Sequence, residues 1–264
     1  MRGDAVVLKT PDSLARMRRA GRVAAEAIRE VAAAVAPGVS TAALDGMADA
    51  FIRGRGAVPS FKHYRGYPAS ICTSINDEVV HGIPGSRALE AGAIVSIDLG
   101  VLLDGFHADV AVTVPVGDVE PEARRLIKVA EEALARGIAA ARPGARLGDV
   151  GWAIQSVIED AGFSAVREFA GHGIGEALHE DPQVPNIGRP GTGPTLRPGM
   201  TLAIEPMVNM GGSDVLVEGD GWTVRTRDRS LSAHAEHTVA ITEDGPEVLT
   251  GLNGTRPHIL KNRG

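Results

Sequence analysis

The chain has 264 residues with a net charge of −6, an apolar fraction of 44% and a charged fraction of 23%. These values allow a substantial buried core in one domain or two merged halves, and the acidic balance excludes a general nucleic-acid-binding protein. Because the single cysteine, Cys72, excludes an internal disulfide and no segment resembles a signal peptide or a membrane span, we expect a cytoplasmic protein without membrane contact.

Two helices are predicted near the start of the chain. The first begins at Pro11, in a typical helix start, and its apolar period continues until the stop at Pro37 and Gly38. The second follows a cap at Ser40 or Thr41 and ends in a pair of glycines. Its predicted buried face consists of four apolar residues, Leu44, Met47, Phe51 and Ile52.

Between residues 68 and 116 the sequence predicts strands separated by glycine turns. Asp104 and Gly105 are typical of a two-residue hairpin turn between an apolar strand that contains Asp98 and a returning strand that contains Asp109. The hairpin could bring these two carboxylates to one face, where two unpaired buried charges are costly, so a cation or a proton is expected between them. The alternative is that Asp98 lies near a strand end and Asp109 in a solvated turn.

A second copy of this order follows the first. Further helices are predicted at roughly 121–141 and 147–161, followed by glycine- and proline-rich loops and more strands. A shift of 106 residues aligns the Pro-Gly helix stops and the apolar face of the helix after each stop. We interpret this as two repeated halves, roughly 12–117 and 118–250, although two helical hairpins could also look alike by chance.

Acidic residues also occur in the predicted strands of the second half. Glu205 follows three apolar residues, and Glu236 stands at the head of a strand rich in valine and isoleucine. Together with Asp98 and Asp109 these acids and an imidazole would form a hard, oxygen-rich site suited to two divalent cations such as Mn, Fe, Co or Zn. Such a site would attract a protonated amine.

The segment from Phe169 to Asn186 has two histidines, His172 and His179, among glycines and carboxylates. A loop of this composition packs poorly, so it is either a mobile connector or a place where polar groups converge. A single histidine in such a loop is more often a surface residue, but here the two are held close together by their short spacing.

Six segments of the sequence resemble the signature blocks of methionine aminopeptidases: SINDEVVHGIP, IDLGVLLDGFHAD, HGIG, LHEDPQVPN, GMTLAIEPM and AEHTV. The resemblance runs over nearly the whole chain and implies an α+β "pita-bread" fold. In that fold, two pseudo-symmetric α/β halves with antiparallel strands enclose a dinuclear metal site. It also implies that residues 1–264 form a single catalytic domain. The short sequence separation between His172 and Glu205 resembles that of the type I enzymes. The chain resembles the members of this type that lack an N-terminal extension.

The resemblance implies a function and a set of partners. The chain would be a methionyl aminopeptidase that removes the N-terminal methionine of nascent polypeptides, near the ribosome, with a preference for a small second residue. Two divalent metal ions (Co, Mn, Fe or Zn) would be its cofactors. We expect a monomer with no direct nucleic-acid or membrane partner.

The resemblance also assigns roles to individual residues. The metal ligands would be Asp98, Asp109, His172, Glu205 and Glu236, with Asp109 and Glu236 bridging the two ions. Glu205 would also accept and donate the proton during hydrolysis. The two catalytic histidines that are not ligands would be His179, facing the scissile carbonyl oxygen, and His81, near the peptide nitrogen.

The segment FKHYRGYPASICTSIN is similar to the family's substrate-pocket segment. It implies a pocket for the methionine side chain formed by Tyr64, Tyr67, Cys72 and Trp222, where aromatic edges suit a thioether. The alternative for Cys72 is an inert core thiol.

Three residues depart from the family's pattern, Arg65 in place of histidine, Gly100 in place of threonine and His234 in place of glutamine. Gly100 lies close to a predicted ligand, and glycine has no side chain that could support the metal site there.

Two alternatives remain open. Another pita-bread metallopeptidase, such as an aminopeptidase P or a prolidase, would cut next to proline, but these resemble longer chains with an additional N-terminal domain. A binding protein that kept the fold and lost catalysis would lack at least one ligand, and all five predicted ligands are present.

Overall fold

Four long helices and fifteen strands make up residues 6–251, the part of the chain that the computed structural model describes. The helices are α1 (Pro11–Ala33), α2 (Thr41–Gly54), α3 (Pro121–Ala140) and α4 (Leu147–Asp160). The strands of the first half are β1 (Val58–Pro59), β2 (Ile71–Ile75), β3 (Glu78–Val80), β4 (Ile94–Leu103) and β5 (Phe106–Pro115). The strands of the second half are β6 (Ser164–Ala165), β7 (Ala170–Gly173), β8 (Glu180–Pro185), β9 (Thr201–Ile204), β10 (Met207–Asn209), β11 (Val215–Val217), β12 (Val224–Thr226), β13 (Ser232–His234), β14 (Glu236–Thr242) and β15 (Gly245–Val248).

A nine-stranded sheet runs through both halves in the order β1-β4-β5-β14-β9-β7-β8, with β2 paired to β4 and β15 paired to β14. Two three-stranded sheets, β13-β10-β6 and β11-β12-β3, flank it. Each pairing described within residues 6–251 is antiparallel, which confirms the predicted α+β class. The sheet therefore joins the two halves at the contact between β5 and β14.

The predicted hairpin is the centre of the first half. Strands β4 and β5 pair from Ile94 opposite Pro115 to Leu103 opposite Phe106. The two residues between them, Asp104 and Gly105, have φ values of 53° and 82°, as a tight turn that matches the strand twist requires.

Each half buries its own pair of helices against the sheet. One core packs α1 and α2 against β2, β4 and β5, and the other packs α3 and α4 against β9 and β14. Helices α2 and α4 both contain 14 residues and begin 106 positions apart, at Thr41 and Leu147. In both halves the glycine before the second helix donates a backbone hydrogen bond to a leucine, Gly38 to Leu89 (2.8 Å) and Gly144 to Leu196 (2.9 Å). The repeat seen in the sequence is therefore a structural pseudo-symmetry.

The helix ends follow the predictions with one difference. Thr10 caps α1 by accepting a hydrogen bond from the Ser13 amide, but α1 ends at Ala33, before the Pro-Gly stop. Ser40 caps α2 through the Ala43 amide. The predicted buried position of Met47 is wrong, because this side chain is 43% exposed on α2. The apolar face predicted for α2, which includes Met47, is wider than the part of the helix surface that the sheet covers. No helix among residues 6–251 is long and apolar enough to cross a membrane.

Helix α2 offers a matched test of this packing. Leu44 is fully buried and Met47 is 43% exposed on the same helix. We expect Leu44→Ala to lower the free energy of unfolding by about 2–5 kcal/mol, because it leaves a cavity in the core. Met47→Ala should change it by less than about 0.5 kcal/mol. Urea unfolding followed by circular dichroism measures both, and equal losses would contradict the burial assigned to α2.

Candidate metal centre

Three acidic side chains lie on one face of the central sheet, where its two halves meet. Asp98 on β4 pairs with Ala111 on β5, and Ala111 pairs with Glu236 on β14, so Asp98 and Glu236 flank the same position. Asp109 lies two residues before Ala111, and alternation along a strand places it on the same face. The β4–β5 hairpin and the pairing of β5 with β14 thus bring these three carboxylates together.

His172 and Glu205 complete the group from the second half. His172 on β7 pairs with Ala203 on β9, and Glu205 follows the end of β9. The His172 Nδ1 donates a hydrogen bond to the Gly173 carbonyl at 2.8 Å, because a carbonyl can only accept. The other ring nitrogen, Nε2, then presents its lone pair and lies 3.5 Å from Glu205 Oε1. An anchored Nδ1 and a free Nε2 are typical of a metal-binding histidine.

The residues present fit a divalent cation. One ligand atom each from Asp109, His172 and Glu236 lies within 4.8 Å of the others, and all three residues are buried. Two buried carboxylate oxygens, Asp98 Oδ1 and Glu236 Oε1, have no hydrogen-bond partner among the described residues. Oxygen-rich sites with an imidazole suit hard to borderline divalent ions, and a cation would satisfy these oxygens.

Burial and mutual repulsion disfavour the ionised form of these acids. Burial raises the pKa of Asp98, Glu205 and Glu236 well above the ordinary range, and the nearby carboxylates raise it further. Burial also raises the pKa of Asp109, to about 7, against the lowering effect of the Val110 amide. Four buried carboxyl groups that repel one another attract a cation strongly.

The two further histidines lie beside this group. The His179 ring lies 4.1 Å from the His172 ring and stacks on Tyr64 at 5.2 Å, although His179 as a whole residue is exposed to solvent. Burial of the ring against these neighbours lowers the pKa of His179 to about 3, and the nearby His172 ring and the Arg65 charge also disfavour its protonation. His179 is therefore a neutral imidazole at pH 7.

His81 follows β3 in a left-handed conformation with φ of 61°, a backbone geometry that is uncommon outside glycine and is often found at functional sites. Its ring contacts Phe169 at 5.8 Å and Trp222 at 6.4 Å, and burial lowers its pKa to about 4. Its imidazole is therefore also neutral at pH 7.

Three of the four predicted pocket residues form one cluster. Tyr67, Cys72 and Trp222 pack together, with Phe61 and Ile83 against them. The Tyr67 ring meets Trp222 edge to face at 5.0 Å, and its hydroxyl donates to the Gly82 carbonyl at 2.9 Å. Cys72 pairs with Asp98 across β2 and β4, so this wall lies next to the acids.

Tyr64 lies apart from that wall. It packs against a different cluster that contains Phe106 and Leu178, and it contacts the pocket region through the His179 ring. Burial and the Asp98 charge raise the pKa of Cys72 well above the ordinary value, so its thiol is neutral and behaves as a small apolar group.

The three departures have structural consequences. Gly100 on β4 pairs with Asp109. A Cβ at Gly100 would lie 2.7 Å from the Ser60 Cβ, so glycine at this position allows Ser60 to pack closely on β4. Arg65 stacks its guanidinium over the Tyr64 ring at 5.3 Å. His234 is buried, and its Nε2 lies 3.8 Å from Glu205 Oε2.

Two supporting residues escaped the sequence analysis. The Thr238 hydroxyl accepts a hydrogen bond from the Asp109 amide at 2.8 Å and donates to the Asp109 carbonyl at 2.9 Å. Alternation from Glu236 along β14 would have placed Thr238 on the same face. Phe169, which packs on His81, carries no signal of its contact in the sequence.

The raised carboxyl pKa values predict how the stability of metal-free protein depends on pH. The folded state keeps protons that the unfolded chain has released, so the free energy of unfolding falls as pH rises toward the folded pKa values. The buried histidines act in the opposite direction, but only up to the unfolded histidine pKa of about 6.5. We therefore expect the urea midpoint of chelator-treated protein to fall between about pH 6.5 and 7.5, the range in which Asp109 releases its proton.

Two comparisons separate this effect from others. Addition of Mn²⁺ should raise the midpoint most at the higher pH, because a cation binds the folded acids. Asp109→Asn should reduce the fall, because it removes one of the repelling groups. A midpoint of the chelated protein that does not change over this range would contradict the charge repulsion described here.

The chain is similar to known proteins of one metallopeptidase family. The family model of metallopeptidase family M24 matches residues 15–243. Methionine aminopeptidase 1 of Bacillus subtilis (strain 168) is 51% identical over 245 residues, which cover 93% of this chain and 99% of that protein. The methionine aminopeptidase of Clostridium perfringens (strain 13 / Type A) is 52% identical over 245 residues, with 93% and 98% coverage.

Solved structures have the same fold. The crystal structure of methionine aminopeptidase from Rickettsia prowazekii superposes with a TM-score of 0.92 at 46% identity, covering 93% of this chain and 100% of that one. The prolidase from Pyrococcus furiosus shares the fold alone, with a TM-score of 0.76 at 22% identity, covering 93% of this chain and 65% of that one. The pita-bread fold implied by the sequence is thus confirmed. The chain belongs to metallopeptidase family M24, and within it to the methionine aminopeptidases.

Proposed function

We propose that this chain hydrolyses the peptide bond after an N-terminal methionine with two divalent cations held by Asp98, Asp109, His172, Glu205 and Glu236. The observation that supports this most directly is the set of buried acids around His172, two of which have carboxylate oxygens without a partner. Five donors from both halves of the fold would provide enough ligands for two ions. Cobalt, manganese, iron and zinc all suit this donor set.

The residues around the cations have separate tasks in this proposal. When bound, divalent cations lower the pKa of water and polarise the carbonyl group that is attacked. Glu205 takes the proton from the attacking water at a carboxylate oxygen and delivers it to the leaving amine nitrogen.

The two neutral histidines act on the peptide bond itself. His179 donates a hydrogen bond to the scissile carbonyl oxygen as negative charge develops on it, and His81 stabilises the peptide nitrogen side. Their low pKa values keep both rings uncharged at neutral pH, so neither competes with the substrate amine for the acids.

The methionine side chain would lie against Tyr67, Cys72 and Trp222. An aromatic edge, an indole and a neutral thiol form an apolar wall for a polarizable thioether, and sulfur–aromatic contacts contribute up to about 1.5 kcal/mol each. Tyr64, on the other side of His179, would face the substrate beyond the first residue. In this proposal, the stacked rings of His179 and Tyr64 would limit the size of the second residue.

We propose a cytoplasmic monomer in which the whole chain acts as one catalytic domain on nascent polypeptides near the ribosome. The acidic balance of the chain, −6 overall, supports a peptide substrate rather than a nucleic-acid partner.

One assay tests the activity and its metal dependence together. Purified protein should release free methionine from Met-Ala-Ser and from a Met-Pro peptide, lose that activity in a strong chelator, and regain it with Mn²⁺, Fe²⁺ or Co²⁺. Leu-Ala-Ser and Met-Trp-Ser serve as controls for the first and second residue and should react much more slowly. Full activity in metal-free protein, or preferred cleavage of dipeptides that end in proline, would refute the proposal.

The pair His172 and His179 tests the division between ligand and hydrogen-bond donor. His172→Ala should lower metal content and turnover together. His179→Ala should leave metal content intact and lower kcat by about 10²–10³-fold, the usual effect of losing one oxyanion donor, with a smaller change in KM. Metal analysis beside steady-state kinetics decides the matter, and equal metal loss in both variants would make His179 a ligand or a scaffold residue.

A further inference from the structure

A buried ion pair joins the beginning of the chain to the loop that carries His179. The Lys9 Nζ contacts Glu180 Oε2, with side chains only 3% and 13% exposed, although 171 positions separate the two residues. Lysine and glutamate are seldom buried to this degree unless they are paired. The pair lies outside the predicted metal ligands and pocket residues, and the proposed reaction gives it no task.

Lys9 is held in place by its backbone as well as by its charge. Its amide donates to the Gly199 carbonyl at 2.7 Å, in the segment that leads into β9. Its Nζ also donates to the Val7 carbonyl at 3.3 Å, and the next residue, Thr10, caps α1. The ammonium group is therefore a fixed anchor at the start of α1, set against the sheet of the second half.

Glu180 connects this anchor to the histidine loop. Its second oxygen, Oε1, accepts a hydrogen bond from the Ala177 amide at 3.2 Å, which closes the turn over residues 177–180. Its backbone pairs with Gly173, the neighbour of His172, where β7 meets β8. His179 lies inside this turn, directly before Glu180, so the position of the carboxylate limits the position of the imidazole.

Gly175 shows how closely the pair fits the loop. A Cβ at this position would overlap the Lys9 Cε and Glu180 Oε1 and would lie 2.7 Å from the Lys9 Nζ. The Gly175 carbonyl accepts a hydrogen bond from the His107 amide at the start of β5 (2.7 Å), so the glycine cannot retreat easily from the lysine. The loop is packed between β5 on one side and Lys9 on the other.

We infer that Lys9, through its ion pair with Glu180, is a positioning residue that sets the location of the His179 imidazole in the active site. The inference rests on the proposed function, because the task it gives Lys9 is to hold the donor that faces the scissile carbonyl. The side-chain hydrogen bonds of Lys9 among the described residues go to Glu180 and Val7, so in this inference it acts through the loop. A displacement of about 1 Å in a catalytic group can lower turnover by about 10²-fold.

The test compares Lys9→Met and Gly175→Ala with Arg18→Met. Lys9→Met removes the anchor, and Gly175→Ala keeps both charges but pushes them apart. Arg18→Met is the matched control, because it removes a cation from α1 that pairs with Glu247 at the surface, far in sequence from the loop. We expect kcat on Met-Ala-Ser to fall about 10–100-fold in the first two variants with metal content unchanged and KM changed less. Arg18→Met should keep wild-type kcat.

A spectroscopic readout separates positioning from general destabilisation. In protein labelled with ¹⁵N-histidine, the ring signals of His179, assigned with His179→Ala, should shift in Lys9→Met and Gly175→Ala, while those of His81 and His237 stay in place. All variants are measured at a temperature where circular dichroism shows them folded. An unshifted His179 signal, wild-type kcat in Lys9→Met, or loss of metal in step with kcat would overturn the inference.

If Lys9→Met cannot be purified in folded form, Gly175→Ala alone decides, because it retains the native charges. The spectroscopic part does not depend on activity. Wild-type protein that releases no methionine would refute the proposed function, whereas an active, metal-dependent protein with an unmoved His179 signal in Gly175→Ala would refute only the role of Lys9.

Discussion

Four carboxyl groups that face one another in a buried space are the constraint around which this molecule is arranged. Water cannot screen them, and no lysine or arginine among the described residues forms an ion pair with Asp98, Asp109, Glu205 or Glu236. Each is driven toward its neutral form unless positive charge is supplied. The fold therefore has a strong preference for cations at one place, where three of the acids lie on strands of the central sheet and Glu205 directly follows β9.

The pseudo-symmetry explains how such a costly arrangement is held together. Asp98 and Asp109 come from the hairpin of the first half, whereas in the second half Glu205 directly follows β9 and Glu236 begins β14. Each half has its own apolar core beneath two helices, so the hydrophobic stabilisation does not depend on the acids. The repulsion is concentrated at the seam, where the pairing of β5 with β14 fixes the distance between the two sets.

Around this rigid centre, the groups that would contact a peptide lie on loops with local supports. His81 stands in a strained backbone conformation against Phe169 and Trp222, and His179 lies in a turn closed by Glu180. Loops supply such groups readily because their backbone is free of the sheet ladder, but each must then be fixed by packing or by an ion pair. The proposed metal ligands and the proposed peptide-binding groups are thus held in place in different ways.

The sequence by itself determined the helices, the Asp104-Gly105 hairpin, the repeat and the acids in apolar strands, because periodicity, turn chemistry and buried charge are local signals. The candidate ligands and catalytic histidines were assigned through the resemblance of the signature segments to a known family. Only the tertiary structure decided that Met47 is exposed, that Tyr64 lies apart from the pocket wall, and that Lys9 reaches Glu180. These outcomes depend on which elements meet in space, and contacts between residues more than a hundred positions apart leave no pattern in either local segment.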